Sequence, residues 1–434
     1  MNNLNEYLGG RIINVRDLDS DIQKNLLSQG GKKVKATKNE AGTIVCYRCL
    51  MPIKITTKCD YCRNCINLGK IRRTDQLVIT GTDILFPQQG QYLQWDGELT
   101  ANQKKGVTEL LNAFKHHQDH LVWAVTGAGK TEMIFPLIEQ ALKQRQRIAI
   151  CSPRVDVCVE LFPRIQKVFP TTSIGLFHGK SLEKYHLTQI AVMTVHQLIR
   201  FERAFDLLII DEVDSYPLAG NLMLHKAIKK SRKKTGMTVF LSATPPKQLL
   251  KKVKSKQITL SQLYQRFHGH PLPEPHCHLL FKKIDFLNLN PRIRLKLEQI
   301  LKNNVRVMIF FPSIPVMRSF AKKLEKFYPQ LSFVSVSSQD KQRLEKVQLF
   351  RERKVQAILT TTILERGVTF KKIMVIVLNA DAKEFSKTSL IQIAGRAGRA
   401  KDSFDDEVHF YYQYYNQQIR LACAEISYLN RQGK

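Results

Sequence analysis

The 434-residue sequence has no uninterrupted apolar run of about 18 residues, the length a membrane-crossing helix needs. Its first ten residues lack the basic start and apolar stretch of a secretory leader, so a cytoplasmic location is expected. Acidic residues are scarce: 37 Asp and Glu stand against 68 Lys and Arg, a formal net charge of +31 with a pI near 9.8. Such an excess is the footprint of a chain that neutralises phosphates, with nucleic acid the first candidate and an anionic membrane surface the second. Cysteine is missing from most of the chain. Five of the nine lie between Cys46 and Cys65, while Cys151, Cys158, Cys277 and Cys423 are scattered through apolar segments, a pattern that argues for metal and against disulfides. With 43% hydrophobic and 24% charged residues the chain is not disordered, and its length suits two or three domains.

What is present starts from Ala124-Val-Thr-Gly-Ala-Gly-Lys130-Thr131, a phosphate-binding loop with an apolar run at 121–125 leading in and a helical pattern leading out. Its glycines let backbone N–H groups curl round phosphates without side chains intervening. Thr126, Gly127, Ala128 and Gly129 are therefore expected to cradle a nucleotide, with Lys130 on its outer phosphates. Thr131 would put its hydroxyl on magnesium, and the positive end of the following helix would add to the grip. Ala124 stands where the loop pattern has its first glycine.

From Trp95 onward short apolar runs alternate with helical stretches, the rhythm of a parallel sheet. The run 205–210 leads straight into Asp211-Glu-Val-Asp214. There Asp211 is expected to hold magnesium through water and Glu212 to orient and deprotonate the attacking water. The run 238–242 ends in Ser242-Ala-Thr244, hydroxyls placed to couple the nucleotide site to a second domain. Gln103, on a helix reaching about His117, is a candidate for the adenine edge. Another strand leads to Ser152-Pro153-Arg154, where a Pro at a helix start leaves N–H groups free for a nucleic-acid phosphate and Arg154 adds charge. Thr194 sits at a comparable strand end.

Two CxxC knuckles, Cys46 with Cys49 and Cys62 with Cys65, can supply the four thiolates of a closed, structural zinc site. Cys59 makes a CxxC of its own with Cys62 and is the alternative ligand. The four-residue set is favoured because each knuckle follows strand-like residues and precedes an aliphatic one.

Between Lys247 and about Pro275 the pattern loosens into a basic, His- and Pro-rich connector, in which His268, His270, His276 and His278 fit no tight metal site. A second set of buried runs follows at 305–311, 333–336, 355–360 and 373–378, and reads as a second doubly wound sheet. Pro312-Ser313 and Thr360-Thr-Thr362 stand at its strand ends. Gln392-Ile-Ala-Gly395-Arg396-Ala-Gly398-Arg399 puts two arginines three apart on one helix face, placed to reach a transferring phosphoryl group across a cleft.

Taken in order, these motifs resemble those of superfamily 2 helicases over residues 95–434. The resemblance implies an α/β fold of two tandem RecA-like domains behind a small zinc module, and ATP hydrolysis by a DNA-dependent motor. Lys130 and Thr131 match the first motif, Asp211 and Glu212 the second, and Gln392, Arg396 and Arg399 the sixth; Pro153, Arg154, Thr194, Ser313 and Thr362 would touch a single strand. The expected boundaries are a basic segment 1–40, the zinc module 41–94, a first motor domain 95–250, a linker 251–285 and a second motor domain 286–434.

The cysteine module directly ahead of Trp95-Asp-Gly-Glu-Leu-Thr100, with Thr194-Val-His-Gln-Leu-Ile-Arg-Phe201 and Thr361-Thr-Ile-Leu-Glu-Arg-Gly-Val-Thr-Phe370, resembles the ComFA family of late competence proteins. That family implies ATP-driven import of single-stranded DNA in natural transformation. Its work lies on the cytosolic side of a membrane channel, in peripheral contact with the membrane, with a ComFC-like partner and a DNA-processing protein. A PriA-like replication-restart helicase would carry its zinc residues within the motor half. An RNA helicase of the DEAD-box kind fits Asp214 and Gln392 poorly, and a non-motor DNA-binding scaffold is at odds with intact Lys130, Asp211, Glu212, Arg396 and Arg399. Translocation without unwinding is the expectation.

Overall fold

Apolar runs with no polar face, such as Phe205–Ile210 and Met374–Leu378, are stable only in a sheet covered on both sides. The computed structural model describes residues 4–53, 60–88, 90–179, 184–281, 290–367, 370–399 and 406–433 and places each of these runs inside a parallel sheet. The chain divides into two units, Met1–Trp123 with Lys130–Gln262 and Ala124–Gly129 with Leu263–Lys434.

The first unit is built on a seven-stranded sheet in the order Thr259–Leu263, His120–Ala124, Arg232–Ser242, Phe205–Ile210, Ile148–Ser152, Ile190–Thr194, Ile174–Phe177. The ladders joining the last six strands are parallel, so all six end at one edge of the sheet. Helices Ala101–Lys115, Phe135–Lys143 and Val155–Val168 bury apolar stripes that include Leu110, Ile138 and Ile165.

Ahead of this sheet, Ile12–Asn14 and Lys32–Lys35 flank Gln76–Ile79 in an antiparallel three-stranded sheet, against which helix Ser20–Ser28 packs Ile22 and Leu26. A hairpin of Thr37–Glu40 and Thr43–Cys46 leads into the first cysteine knuckle. Patterning shows little of this part in advance. Strands this short carry almost no periodicity, and the central one lies beyond the cysteines from its neighbours.

The second unit carries a six-stranded sheet, parallel throughout, in the order His276–Leu279, Val408–Tyr412, Met374–Leu378, Val307–Phe310, Ala357–Thr360, Phe333–Val336. Both sheets, with their flanking helices, are doubly wound α/β domains of the expected kind. The stretch that reads as a connector also holds helix Lys247–Lys254 and two strands. Thr259–Leu263 joins the edge of the first sheet and His276–Leu279 the edge of the second. Edge strands can leave one side to water, so these two admit Ser, Gln and His and lack the apolar signal. Among the described residues no helix is long and apolar enough to cross a membrane.

Candidate nucleotide and metal sites

The strand His120–Ala124 delivers the phosphate loop at the edge where its parallel neighbours end. Gly127 and Gly129 take φ of 81° and 77°, backbone that a side chain would strain, and the loop closes with the Ala128 N–H donating to the Val125 carbonyl at 3.1 Å. Helix Lys130–Met133 begins immediately after. Such a turn-to-helix passage fits the phosphates of a nucleotide. Gln103 is buried, and its Oε1 accepts from the Thr100 N–H at 2.8 Å while its own N–H donates to Thr100 Oγ1 at 3.3 Å, a capping box that starts helix Ala101–Lys115.

Register carries the other motifs to the same edge. Trp123 pairs with Ser242, Ile210 with both Phe240 and Cys151, and Ser152 with Thr194. Asp211 follows Ile210 and its N–H donates to the Cys151 carbonyl at 2.8 Å. Glu212 takes φ of 50°, a left-handed backbone that costs a non-glycine residue about 1–3 kcal/mol, and its N–H donates to Asp211 Oδ1 at 2.8 Å. The strained turn sets two adjacent carboxylates directly after an apolar strand. Asp214 accepts from Ser242 and Thr244, and the Trp123 indole N–H donates to the Ala243 carbonyl at 3.1 Å. Arg154 stands at the N-cap position of helix Val155–Val168, its backbone N–H reaching back over Pro153 to donate to Ser152 Oγ at 3.3 Å, and Thr194 stands buried ahead of the 3-10 helix Val195–Arg200.

In the second unit Ser313 caps helix Ile314–Phe327 and Thr362 opens the 3-10 helix Thr362–Leu364, both at ends of parallel strands. Gln392 and Arg396 are buried. The arginines do not share a helix face. Helix Lys387–Ala394 stops at Gly395, the Arg396 and Ala397 N–H groups fall back to carbonyls three residues earlier, and Gly398 at φ of 63° completes the turn that carries Arg396 and Arg399. Arg396 Nε and Nη2 donate to the Glu365 carbonyl at 2.9 and 2.7 Å, and the Ser389 hydroxyl donates to the Glu365 carboxylate. Glu365 is thus the anchor of the arginine turn, which its sequence setting does not reveal.

The cysteine sulfurs of Cys46, Cys49, Cys62 and Cys65 lie within 4.8 Å of one another and are buried. Four thiolates about 2.3 Å from a zinc ion stand at tetrahedral edges of about 3.8 Å. The Cys46–Cys65 and Cys49–Cys62 separations of 3.8 and 3.5 Å fit that geometry. Cys59 lies outside the described residues. The first knuckle is seated on helix Leu222–Ser231: Lys226 donates to the Leu50 carbonyl at 2.9 Å, and Lys230 donates to the carbonyls of Arg48 and, at 3.1 Å, Ile199. Burial pushes the Lys230 ammonium down to about 8.

Residues 96–247 match the family described as type III restriction enzyme, res subunit, and residues 293–401 match the helicase conserved C-terminal domain. Competence protein ComFA of Streptococcus pneumoniae is 37% identical over 99% of this chain and 98% of its own length. Competence protein ComFA of Bacillus subtilis is 38% identical over 81% of this chain and 76% of its own. Replication restart protein PriA of Helicobacter pylori is 25% identical over 48% of this chain and 34% of its own length. Among solved structures, Saccharomyces cerevisiae Dbp5 bound to RNA and ADP BeF3 aligns with a TM-score of 0.54 at 16% identity, over 76% of this chain and 91% of that one, which shows the tandem RecA-like fold. With 37% identity to a ComFA protein over 99% of this chain and both helicase-family models matched, the chain belongs to the ComFA family of competence proteins, ATP-dependent helicase-like enzymes.

Proposed function

We propose that this protein is an ATP-driven translocase on single-stranded DNA that powers DNA uptake during competence. The observation that carries the reading is its full-length likeness to competence protein ComFA of Streptococcus pneumoniae. In this reading Thr126, Gly127, Ala128 and Gly129 hold the phosphates, Lys130 neutralises the outer ones, and Thr131 and Asp211 hold magnesium. Glu212 removes a proton from the attacking water, Gln103 reads the adenine edge, and Gln392, Arg396 and Arg399 act on the transferring phosphoryl group. Magnesium would supply charge neutralisation there. Pro153, Arg154, Thr194, Ser313 and Thr362 stand at strand ends, where backbone N–H groups and hydroxyls suit the phosphates of a single strand. The net charge of +31 favours the same partner.

Zinc held by Cys46, Cys49, Cys62 and Cys65 fixes the module. The protein would act in the cytoplasm, in peripheral contact with the membrane, beside a ComFC-like partner, a DNA-processing protein and the membrane channel that delivers the strand.

The test is steady-state ATP hydrolysis by the purified protein alone and with single-stranded DNA, duplex DNA or RNA at one salt concentration. Stimulation by single-stranded DNA above the other polymers is expected. Stimulation by duplex alone would favour a restart helicase, and stimulation by RNA, or by no polymer, would overturn the assignment of the track.

A further inference from the structure

The chain leaving the edge strand Thr259–Leu263 runs alongside the phosphate loop. The Val125 N–H donates to the Leu263 carbonyl at 3.0 Å, and the Phe267 N–H donates to the Gly127 carbonyl at 3.0 Å. Between these two bonds lies Arg266, whose side chain passes Gly127 so closely that a Cβ there would meet Arg266 Cδ at 3.7 Å and Nε at 3.8 Å.

Arg266 is 3% exposed. Its Nη1 donates to the Ala397 carbonyl at 2.9 Å and to that of Gly398, inside the turn that carries Arg396 and Arg399. Nε and Nη2 have no acceptor, and the hydroxyl of Thr126, one residue before Gly127, is also buried without a partner. Burial, with Arg399 adding repulsion, pushes the guanidinium down to about 9. Leaving charged donors dry and unmatched is costly, and an arriving anion removes the cost. A guanidinium fork matches phosphate oxygens in pairs, and the neighbouring loop is itself a phosphate nest.

We propose that Arg266 is a phosphate-binding residue of the nucleotide site, its Nε and Nη2 taking phosphate oxygens while Nη1 keeps the Ala397 and Gly398 carbonyls. It thereby ties the phosphate loop to the arginine turn through one side chain. The inference rests on the reading of residues 124–131 as the nucleotide loop.

Full-length wild type, Arg266→Ala, Arg266→Lys and Lys130→Ala are compared for binding of a non-hydrolysable ATP analogue, for KM and kcat, and for melting temperature with and without that analogue. Arg266→Ala is expected to weaken analogue binding and raise KM by about tenfold or more. It should also lose most of the analogue-induced rise in melting temperature while melting no earlier than wild type without nucleotide. Arg266→Lys, which keeps the charge and loses the fork, should fall between. If Arg266→Ala melts early yet binds the analogue normally, or if neither variant folds, the residue is structural only and the proposal is overturned. Lys130→Ala separates the two readings: normal binding by that variant refutes the nucleotide loop itself, whereas loss there with none in Arg266→Ala refutes only the role of Arg266.

Discussion

The Ser242 hydroxyl donates to Asp214 Oδ1 at 2.6 Å, and the other oxygen of the same carboxylate accepts from the Thr244 hydroxyl at 2.6 Å. The acid three residues beyond Asp211 thus clamps the turn that ends the neighbouring strand. Trp123, the penultimate residue of the loop strand, holds the same turn at the Ala243 carbonyl. Asp214→Ala would free both hydroxyls. Each hydrogen bond to a charged group contributes about 1.5–3 kcal/mol, so the variant should unfold at lower urea and lose most nucleic-acid stimulation of hydrolysis. Full stimulation with the bonds gone would show that this clamp does not transmit between nucleotide and track.

Lys130→Ala should abolish ATP hydrolysis, a loss of at least about a hundredfold if the lysine neutralises developing charge. Single-stranded DNA binding should survive, because the strand-end residues that suit the polymer are other ones. Gel-shift titration beside a phosphate-release assay checks both halves, and loss of all DNA binding would contradict separate sites.

Replacing Cys46 and Cys49 together by Ser should take zinc from about one ion per chain to none, read by elemental analysis. Because Arg48 and Leu50 of that knuckle accept from Lys230 and Lys226, the variant should also melt earlier than wild type, through loosening of helix Leu222–Ser231. Unchanged metal content would refute the ligand set.

His120 is fully buried between two hydroxyls, Nδ1 at 2.6 Å from Thr259 Oγ1 and Nε2 at 2.9 Å from Ser261 Oγ, and burial pushes it down to about 4. Below its ordinary value near 6.5 the unfolded chain takes up the proton first. Stability should therefore fall as pH drops from about 6.5 to 4, by up to about 3 kcal/mol, and level off below that. Urea titrations across this range check it. His120→Gln should flatten the slope, and an equal slope in that variant would assign the effect to other groups.

The strand-end motifs are legible because an apolar run of five or six residues ending abruptly in Asp211-Glu212 or Ser242 has few other meanings. The cysteines of the knuckles are legible from spacing and flanks together, since spacing alone leaves Cys59 a rival of the four. Arg396 and Arg399 are only half so: their interval suits a helix face, but Gly395 and Gly398 stop the helix, and a Cβ at Gly395 would lie 2.0 Å from Thr126 Oγ1. Arg266 is invisible in advance, since Tyr264-Gln-Arg-Phe-His268 has no period and its meaning depends on Val125 and Gly127 far earlier in the chain. His276–Leu279 escapes for a related reason. An edge strand draws its identity from the neighbour it pairs with, here Val408–Tyr412, and not from its own composition.

Lys226 and Lys230 grip backbone carbonyls of the cysteine knuckle, not its side chains. Backbone is the stiffest part of a module that a metal would already hold in shape, so the joint has little compliance. The knuckle is thus joined to helix Leu222–Ser231 backbone-first, and the cysteine module sits on the first unit as a fixed outrigger, not a tethered hook.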